Sequence, residues 1–346
     1  MEESREQLRK RGLGLAAISY DSVAVLKHFA DRKAIKFPLL SDAESKVIRD
    51  FGLLNEEAPK NTPFFGVPHP VTYIVDSRGV VKSRHFEEDY RKRYTTGNIL
   101  TQQLNIRTGA VSTTVKNPRI SVTASSSNAI VRAGERIRLI LDVQLPPKMH
   151  VYAPGVQGYI PIEWKLNDGP AFEALNFGYP QSKTLHLPAI KETAPVYEKA
   201  FSLQREVVIA QPAKLKPLLS DSTFVIEGSF RYQACDDKKC YIPETIPLKW
   251  TLRFEPHDSQ RVPQELQRKP IAPQKADILR GVFFSMRRYI EIYAGPGKPP
   301  RREPAARDCG LDRCEPRAHL HSDGSNRHRL AIVATTDYPD SQACDT

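Results

Sequence analysis

The stretch that organises the reading of this chain is Phe224–Phe254, FVIEGSFRYQACDDKKCYIPETIPLKWTLRF. Phe224, Ile226, Phe230 and Tyr232 take even positions before its centre, and Ile246, Leu248 and Trp250 take even positions after it. That period of two is the pattern of a strand with one face in a core and the other in water. Two strands therefore flank Asp236-Asp237-Lys238-Lys239, with Cys235 and Cys240 at either end of that loop. Opposed residues of an antiparallel pair have Cα atoms ~4.5–5.5 Å apart, within the range of a disulfide. Phase adds a constraint. Pairing 235 with 240 sets odd against even, while the core positions on both sides are even, so a bulge is required. Pro243 and Pro247, which cannot donate to a ladder, are the expected places for it.

Working back from this hairpin, the same periodicity reaches to Ile120. Ile137, Leu139, Leu141, Val143 and Leu145 alternate with Arg138, Asp142 and Gln144, and Ile162, Trp164 and Leu166 alternate with Glu163 and Lys165. Short strands separated by Pro- and Gly-bearing turns predict an antiparallel β-sandwich over residues 118–256.

The texture before Asn105 is different, and residues 1–107 read as α/β. Leu13–Ser19 is nearly all apolar, as in a strand buried on both faces. Asp21 is placed to cap a helix carrying Val25, Leu26 and Phe29 on one face. A second strand is expected at Phe37–Leu40. Ser41 with Glu44 makes a capping box for a helix through Val47, Ile48 and Phe51 that stops at Gly52. Val71–Val75 and Val80–Lys82 form a hairpin around Asp76-Ser77-Arg78-Gly79, and a last helix covers about Asn98–Leu104. Beyond Pro256 the pattern fades. Residues 260–346 read as a mostly disordered tail, with the Pro-rich GPGKPPRREP at Gly295–Pro304 and a helix-like stretch only at Ala276–Ile292.

Composition narrows the functional classes. The net charge is +11 and Lys and Arg dominate after Ser259, but there is no basic helix with interleaved aromatics, zinc-finger spacing or RNP-like run. Nucleic-acid binding is therefore not expected. No run of eighteen apolar residues provides a membrane span. MEESREQLRKRG at the start has no apolar h-region, so no secretory signal is visible. The cysteines are Cys235, Cys240, Cys309, Cys314 and Cys344, an odd and sparse set that argues against a disulfide-stapled scaffold. Cys309 and Cys314 with His319 and His321 could be drawn as a zinc site, against which stand nonstandard spacing and apolar-poor surroundings. Neither a Walker-type loop nor a Ser–His–Asp context is present, and no cofactor is expected.

GLGLAAISYDSVAVLKHFADRKAIKFPLLSDAESKVIRDFGL, followed by HPVTYIVDSRGVVKSRHF, resembles the second part of the redoxin family, the thioredoxin-fold group of alkyl hydroperoxide reductase and thiol-specific antioxidant proteins. In that family a reactive cysteine precedes this stretch, whereas here no cysteine occurs before Cys235. The resemblance thus implies an incomplete thioredoxin-like domain without its thiolate nucleophile, for which peroxidase activity is not expected. It also implies a missing strand between those of Leu13–Ser19 and Val71–Val75, whose absence would leave two unpaired edges. Pro70 matches a proline that is often cis in that fold, or simply starts a strand.

FRYQACDDKKCYIPETIPLKWTLRF, with HVYAPG (His150–Gly155) and PVYEKAF (Pro195–Phe201), resembles the N-terminal periplasmic domain of the DsbD-type thiol:disulfide interchange protein. The resemblance implies an immunoglobulin-like fold that exchanges disulfides through Cys235 and Cys240. It further implies thioredoxin-like protein partners bearing thiols or disulfides, and a periplasmic or cell-envelope location. Tyr152 and Tyr197 are candidates to shield the pair, or are ordinary core tyrosines. The expected protein is a thiol–disulfide oxidoreductase. The alternatives are a non-enzymatic docking module with a structural disulfide, or a defective gene fragment.

Overall fold

The computed structural model describes residues 1–57, 67–87, 89, 91–187, 192–266 and 331–335. These fall into two compact units, one containing Glu2–Phe86 and the other Glu87–Arg261. The first unit begins with α1 (Arg5–Lys10), β1 (Gly14–Ser19), α2 (Val23–Lys33), β2 (Leu39–Ser41), α3 (Lys46–Asp50), β3 (Val71–Val75) and β4 (Val81–Phe86). β1 is buried from Leu15 to Ser19 and β3 throughout, as their apolar runs require.

Both helix caps lie off the positions expected from sequence. Ser22 caps α2 by accepting the Val25 N–H at 3.4 Å, while Asp21 accepts the Ser19 hydroxyl at 2.7 Å. At α3 the Asp42 carboxylate accepts the N–H groups of Lys46 and Ile48, each at 2.9 Å. Ser41 ends β2 and donates its hydroxyl to the Asp21 carbonyl. The strand takes the residue that the Ser41–Glu44 capping box needed, so the helix starts later. The β3–β4 hairpin follows expectation, with Asp76 accepting the Arg78 and Val80 N–H groups in its turn. No peptide bond is cis among the described residues, so Pro70 is trans.

The second unit holds β5 (Arg93–Tyr94), α4 (Thr96–Leu104), β6 (Val111–Asn117), β7 (Ile120–Ser126), β8 (Ile130–Val131), β9 (Glu135–Gln144) and β10 (His150–Tyr152). It continues through β11 (Glu163–Leu166), β12 (Phe172–Ala174), β13 (Lys183–Leu187) and β14 (Glu192–Glu198). β15 (Ala200–Ile209), β16 (Thr223–Tyr232), β17 (Ala234–Cys235) and β18 (Glu244–Phe254) complete it. These strands form the sheets β12-β15-β9-β7-β6, β11-β16-β18-β8 and β13-β14-β10-β17. The predicted period-two faces meet in one core. Ile137, Leu139, Leu141 and Val143 of β9 pack with Phe224, Ile226 and Phe230 of β16 and with Leu248, Trp250 and Leu252 of β18. Trp250 has no exposed surface, and its indole N–H donates to the Ser125 carbonyl at 3.0 Å. α4 groups with this unit and is tied to β9 by the Asn98 amide, which donates to the Arg136 carbonyl at 3.1 Å.

The last strand, β19 (Ala331–Thr335), belongs to the first unit. It runs parallel to β1, from Gly14↔Ala331 to Ile18↔Thr335, and antiparallel to β3, from Val75↔Ala331 to Thr72↔Ala334. The resulting order is β2-β1-β19-β3-β4, so a segment of the tail takes the place expected to stand vacant. The physical reason is the pair of edges that β1 and β3 would otherwise present. AIVAT, with Ile332, Val333 and Thr335 β-branched, is strand-forming sequence able to satisfy both. The rest of the expected tail at 267–330 and 336–346, including Cys309, Cys314, His319, His321 and Cys344, lies outside the described residues.

Candidate functional site

β16 and β18 pair in one register from Thr223↔Arg253 to Tyr232↔Glu244, and the chain then slips by one residue to oppose Cys235 and Cys240. Gln233-Ala234 on one side now faces Tyr241-Ile242-Pro243 on the other, which is the required bulge. Pro243 lies in it. Pro247, the other expected place, pairs in register with Ser229 instead. Cys235 and Cys240 are joined in a disulfide with Cα atoms 4.0 Å apart.

The loop between them is held by its own first residue. The Asp236 N–H donates to the Lys239 carbonyl, and its carboxylate accepts the Lys238 and Lys239 N–H groups, each at 2.8 Å, and the Tyr241 hydroxyl at 2.8 Å. These donors, the two backbone N–H groups first, hold the Asp236 carboxyl below the usual carboxylate range. The Tyr241 phenol is pushed up, first by its bond to Asp236.

β17 pairs with β10, placing Cys235 opposite His150 and Ala234 opposite Val151. This pairing sorts the neighbours onto two faces. Val151, Tyr197 and Ala234 join the main core, whereas Tyr152, Ala194, Val196 and Cys235 form a separate cluster partly covered by Val156, Tyr159 and Leu185. The disulfide therefore sits on the face of its sheet turned away from the main core. Its two ends differ in access: Cys235 is 1% exposed, while Cys240 is an exposed residue.

The two candidate tyrosines separate accordingly. Tyr152 donates its hydroxyl to Cys240 Sγ at 3.7 Å and stacks on Tyr159 with ring centroids 4.3 Å apart. The loop after β10 leaves at Ala153 and returns to pair Pro161 with Tyr152, carrying Val156 and Tyr159 over the cluster. Gly155 (φ +92°) and Gly158 (φ +76°) make its turns in the left-handed region. Tyr197 lies opposite Val151, one position out of phase with Tyr152. Its hydroxyl donates to the Pro180 carbonyl at 2.6 Å and its ring stacks on Phe201, so it does not stand beside the sulfurs.

Sequence reasoning missed His150. It lies between Cys235 on β17 and Glu198 on β14, is 4% exposed, and sets its ring edge-on to Tyr152 at 5.4 Å. Its Nε2 has no hydrogen-bond partner among the described residues. Burial holds the imidazole below the ordinary histidine range, and the Glu198 and Asp236 carboxylates pull the other way. The available signal was parity, because residues 150 and 152 of HVY point to one face. Tyr159 and Leu185 carried no comparable signal. Among the described residues no group of three or more His, Cys, Asp or Glu side chains could hold a metal ion, and no helix is long and apolar enough to cross a membrane.

Residues 1–84 match the AhpC/TSA family, and residues 121–249 match the thiol:disulfide interchange protein DsbD, N-terminal. Peroxiredoxin Bcp of Escherichia coli K12 is 28% identical over 91 residues, which are 26% of this chain and 56% of that protein. The chloroplastic peroxiredoxin Q of Arabidopsis thaliana is 34% identical over 80 residues, 23% of this chain and 34% of that one. The chain thus spans about half, or less, of the length of these relatives. Among solved structures, the N-terminal periplasmic domain of ScsB from Proteus mirabilis aligns at 12% identity with a TM-score of 0.28, covering 42% of this chain and 52% of that one. This chain therefore joins a segment similar to the AhpC/TSA family to a segment similar to the DsbD N-terminal domain, with the Cys235–Cys240 disulfide in the second.

Proposed function

We propose that this protein is a thiol–disulfide oxidoreductase that exchanges the Cys235–Cys240 disulfide with thiol- or disulfide-bearing protein partners. The observation that carries the reading is the unequal exposure of the two cysteines within one bridge at a loop edge, outside the main core. A partner thiolate meets Cys240 Sγ and forms a mixed disulfide with it, and Cys235 leaves as a thiolate that takes up a proton. A second partner thiol, ionised, then attacks its own mixed-disulfide sulfur and frees Cys240. The partner ends oxidised by two electrons and the pair ends as two thiols. The reverse sequence oxidises the pair. The matches of residues 1–84 and 121–249 to redox families support this class of chemistry.

The experiment is trapping with a protein disulfide or an aromatic disulfide, together with a redox titration. Cys235→Ser should accumulate a mixed disulfide through Cys240 faster than Cys240→Ser does through Cys235, and the pair should titrate above about −300 mV. A potential below that value, with neither variant trapped, would establish a structural brace in a non-enzymatic docking module, and the exchange reading would fall.

A further inference from the structure

The row Glu198–His150–Cys235 is drawn from three adjacent strands and lies outside the main core of the sandwich. Directly opposed residues on neighbouring antiparallel strands share a face, with Cβ atoms about 4.5–5.5 Å apart. His150 is paired in this way with Cys235 on one side and Glu198 on the other. A buried polar atom without a partner is destabilising and calls for an explanation. His150 Nε2 is such an atom, on a ring 4% exposed whose neighbour across the ladder is the buried sulfur of the pair.

We propose that His150 is the proton acceptor for Cys235 when that residue acts as the resolving thiol of the exchange. The inference rests on the exchange reading above and deepens it. When the reduced pair meets a partner disulfide, the Cys240 thiolate attacks one partner sulfur. A Cys240–partner disulfide forms, the partner's own S–S bond breaks, and its other sulfur leaves as a thiolate. Cys235 still carries its proton and is buried, where an isolated thiolate is disfavoured and water cannot readily take the proton. Transfer of that proton to His150 Nε2 gives a thiolate beside an imidazolium. The thiolate attacks Cys240 Sγ, the mixed disulfide breaks, and the partner's second sulfur leaves with the electron pair. The imidazolium then returns its proton to solvent. The partner ends as two thiols and the chain as the disulfide.

The surroundings suit that task. Burial keeps His150 neutral and ready to accept at neutral pH. The Glu198 carboxylate, within reach of Lys183 Nζ at 3.9 Å, and the Asp236 carboxylate are the charged groups that favour the imidazolium once it forms. Tyr152 on the same strand packs against the ring, with Tyr159 stacked behind it. Tyr152 directs its hydroxyl to Cys240 rather than to Cys235. The two cysteines thus differ in their neighbours, a phenol at the sulfur of Cys240 and His150 opposite Cys235 on the ladder.

Ellman's reagent, an aromatic disulfide, separates the two steps in the full-length chain with Cys309, Cys314 and Cys344 replaced by serine. The first release of thionitrobenzoate reports attack by Cys240, and the second reports resolution by Cys235. His150→Phe and His150→Gln should leave the first phase unchanged and slow the second by about a hundredfold near neutral pH, the lower end for loss of a general base. The pH profile of the second phase should lose its histidine-range step in both variants. Tryptophan fluorescence checks the fold of each, and if His150→Phe does not fold, His150→Gln decides. A second phase with unaltered rate and pH profile in either folded variant would overturn the inference, as would full rate with glutamine, which packs and hydrogen-bonds but accepts no proton. Absence of any second release in the unsubstituted pair would instead defeat the exchange reading itself.

Discussion

Reduction of the Cys235–Cys240 bridge should lower the stability of the sandwich without unfolding it, and the size of the effect follows from the loop it closes. The cysteines are separated by 5 positions. In the chain-entropy account, closing a loop of about 6 residues removes about 7 cal/mol/K from the unfolded ensemble, or about 2 kcal/mol at 25 °C. That is no more than the loss of one core leucine such as Leu141, for which truncation to alanine costs about 2–5 kcal/mol. Asp236 would still accept the Lys238 and Lys239 N–H groups and the Tyr241 hydroxyl, so the loop keeps its local ties when the sulfurs part. For a domain of 150–250 residues, about 2–4 °C per kcal/mol gives a fall in Tm of about 4–8 °C. Tryptophan fluorescence isolates the transition, because Trp164 and Trp250 are the only tryptophans and both are buried in the sandwich core. Melting the protein with and without a phosphine reductant makes the comparison. Loss of the cooperative transition at 25 °C on reduction, or a fall beyond about 20 °C, would refute the reasoning and make the bridge a brace.

Other outcomes follow from the same structure. Val333→Pro removes a ladder donor from the central strand β19 and should cost about 1–3 kcal/mol. Hydrogen exchange would show β1 and β3 losing protection, and unchanged protection in both would contradict their pairing with Ala331–Thr335. Asp76 is lowered to about 2: burial raises it, but the Val80 N–H, Lys82 and the Arg78 N–H outweigh that. A depressed folded value contributes stability above the unfolded value near 3.8 and loses it as pH falls through about 2. Asp76→Asn should therefore weaken the first unit at pH 7 and flatten its acid sensitivity between those values, as followed by backbone exchange. Thiol-dependent reduction of hydrogen peroxide should be absent, since no cysteine precedes Cys235. Turnover that survives Cys235→Ser would contradict this, and its loss in Cys344→Ser would place the nucleophile there.

The legible parts of the molecule were those in which neighbours along the chain carry the pattern. Alternation in β9, β16 and β18 revealed the sandwich because each strand buries one face, and burial is written residue by residue. The bulge beside Cys240 was legible for the same reason: parity on the two sides of the loop did not match, and of the two prolines offered for its place Pro243 lies in it while Pro247 stays in register. Helix starts were less secure, since Ser22 and Asp42 do the capping that Asp21 and Ser41 were placed to do. Serine and aspartate can each cap or terminate, and the end of a neighbouring strand decides between them.

By itself the sequence determined the α/β and β-sandwich fold classes, the hairpin with its cysteine pair and the irregularity that sets that pair at a loop edge. All of these depend on local period and on residues a few positions apart. Only the tertiary structure decided which tyrosine meets the sulfurs, that His150 faces Cys235, and that Ala331–Thr335 fills the sheet between β1 and β3. Tyr152 and Tyr197 look alike in one dimension, and the pairing of β10 with β14 puts them on opposite faces. Strand pairing joins positions far apart in the chain, and no local pattern encodes which backbone edge a given strand will satisfy.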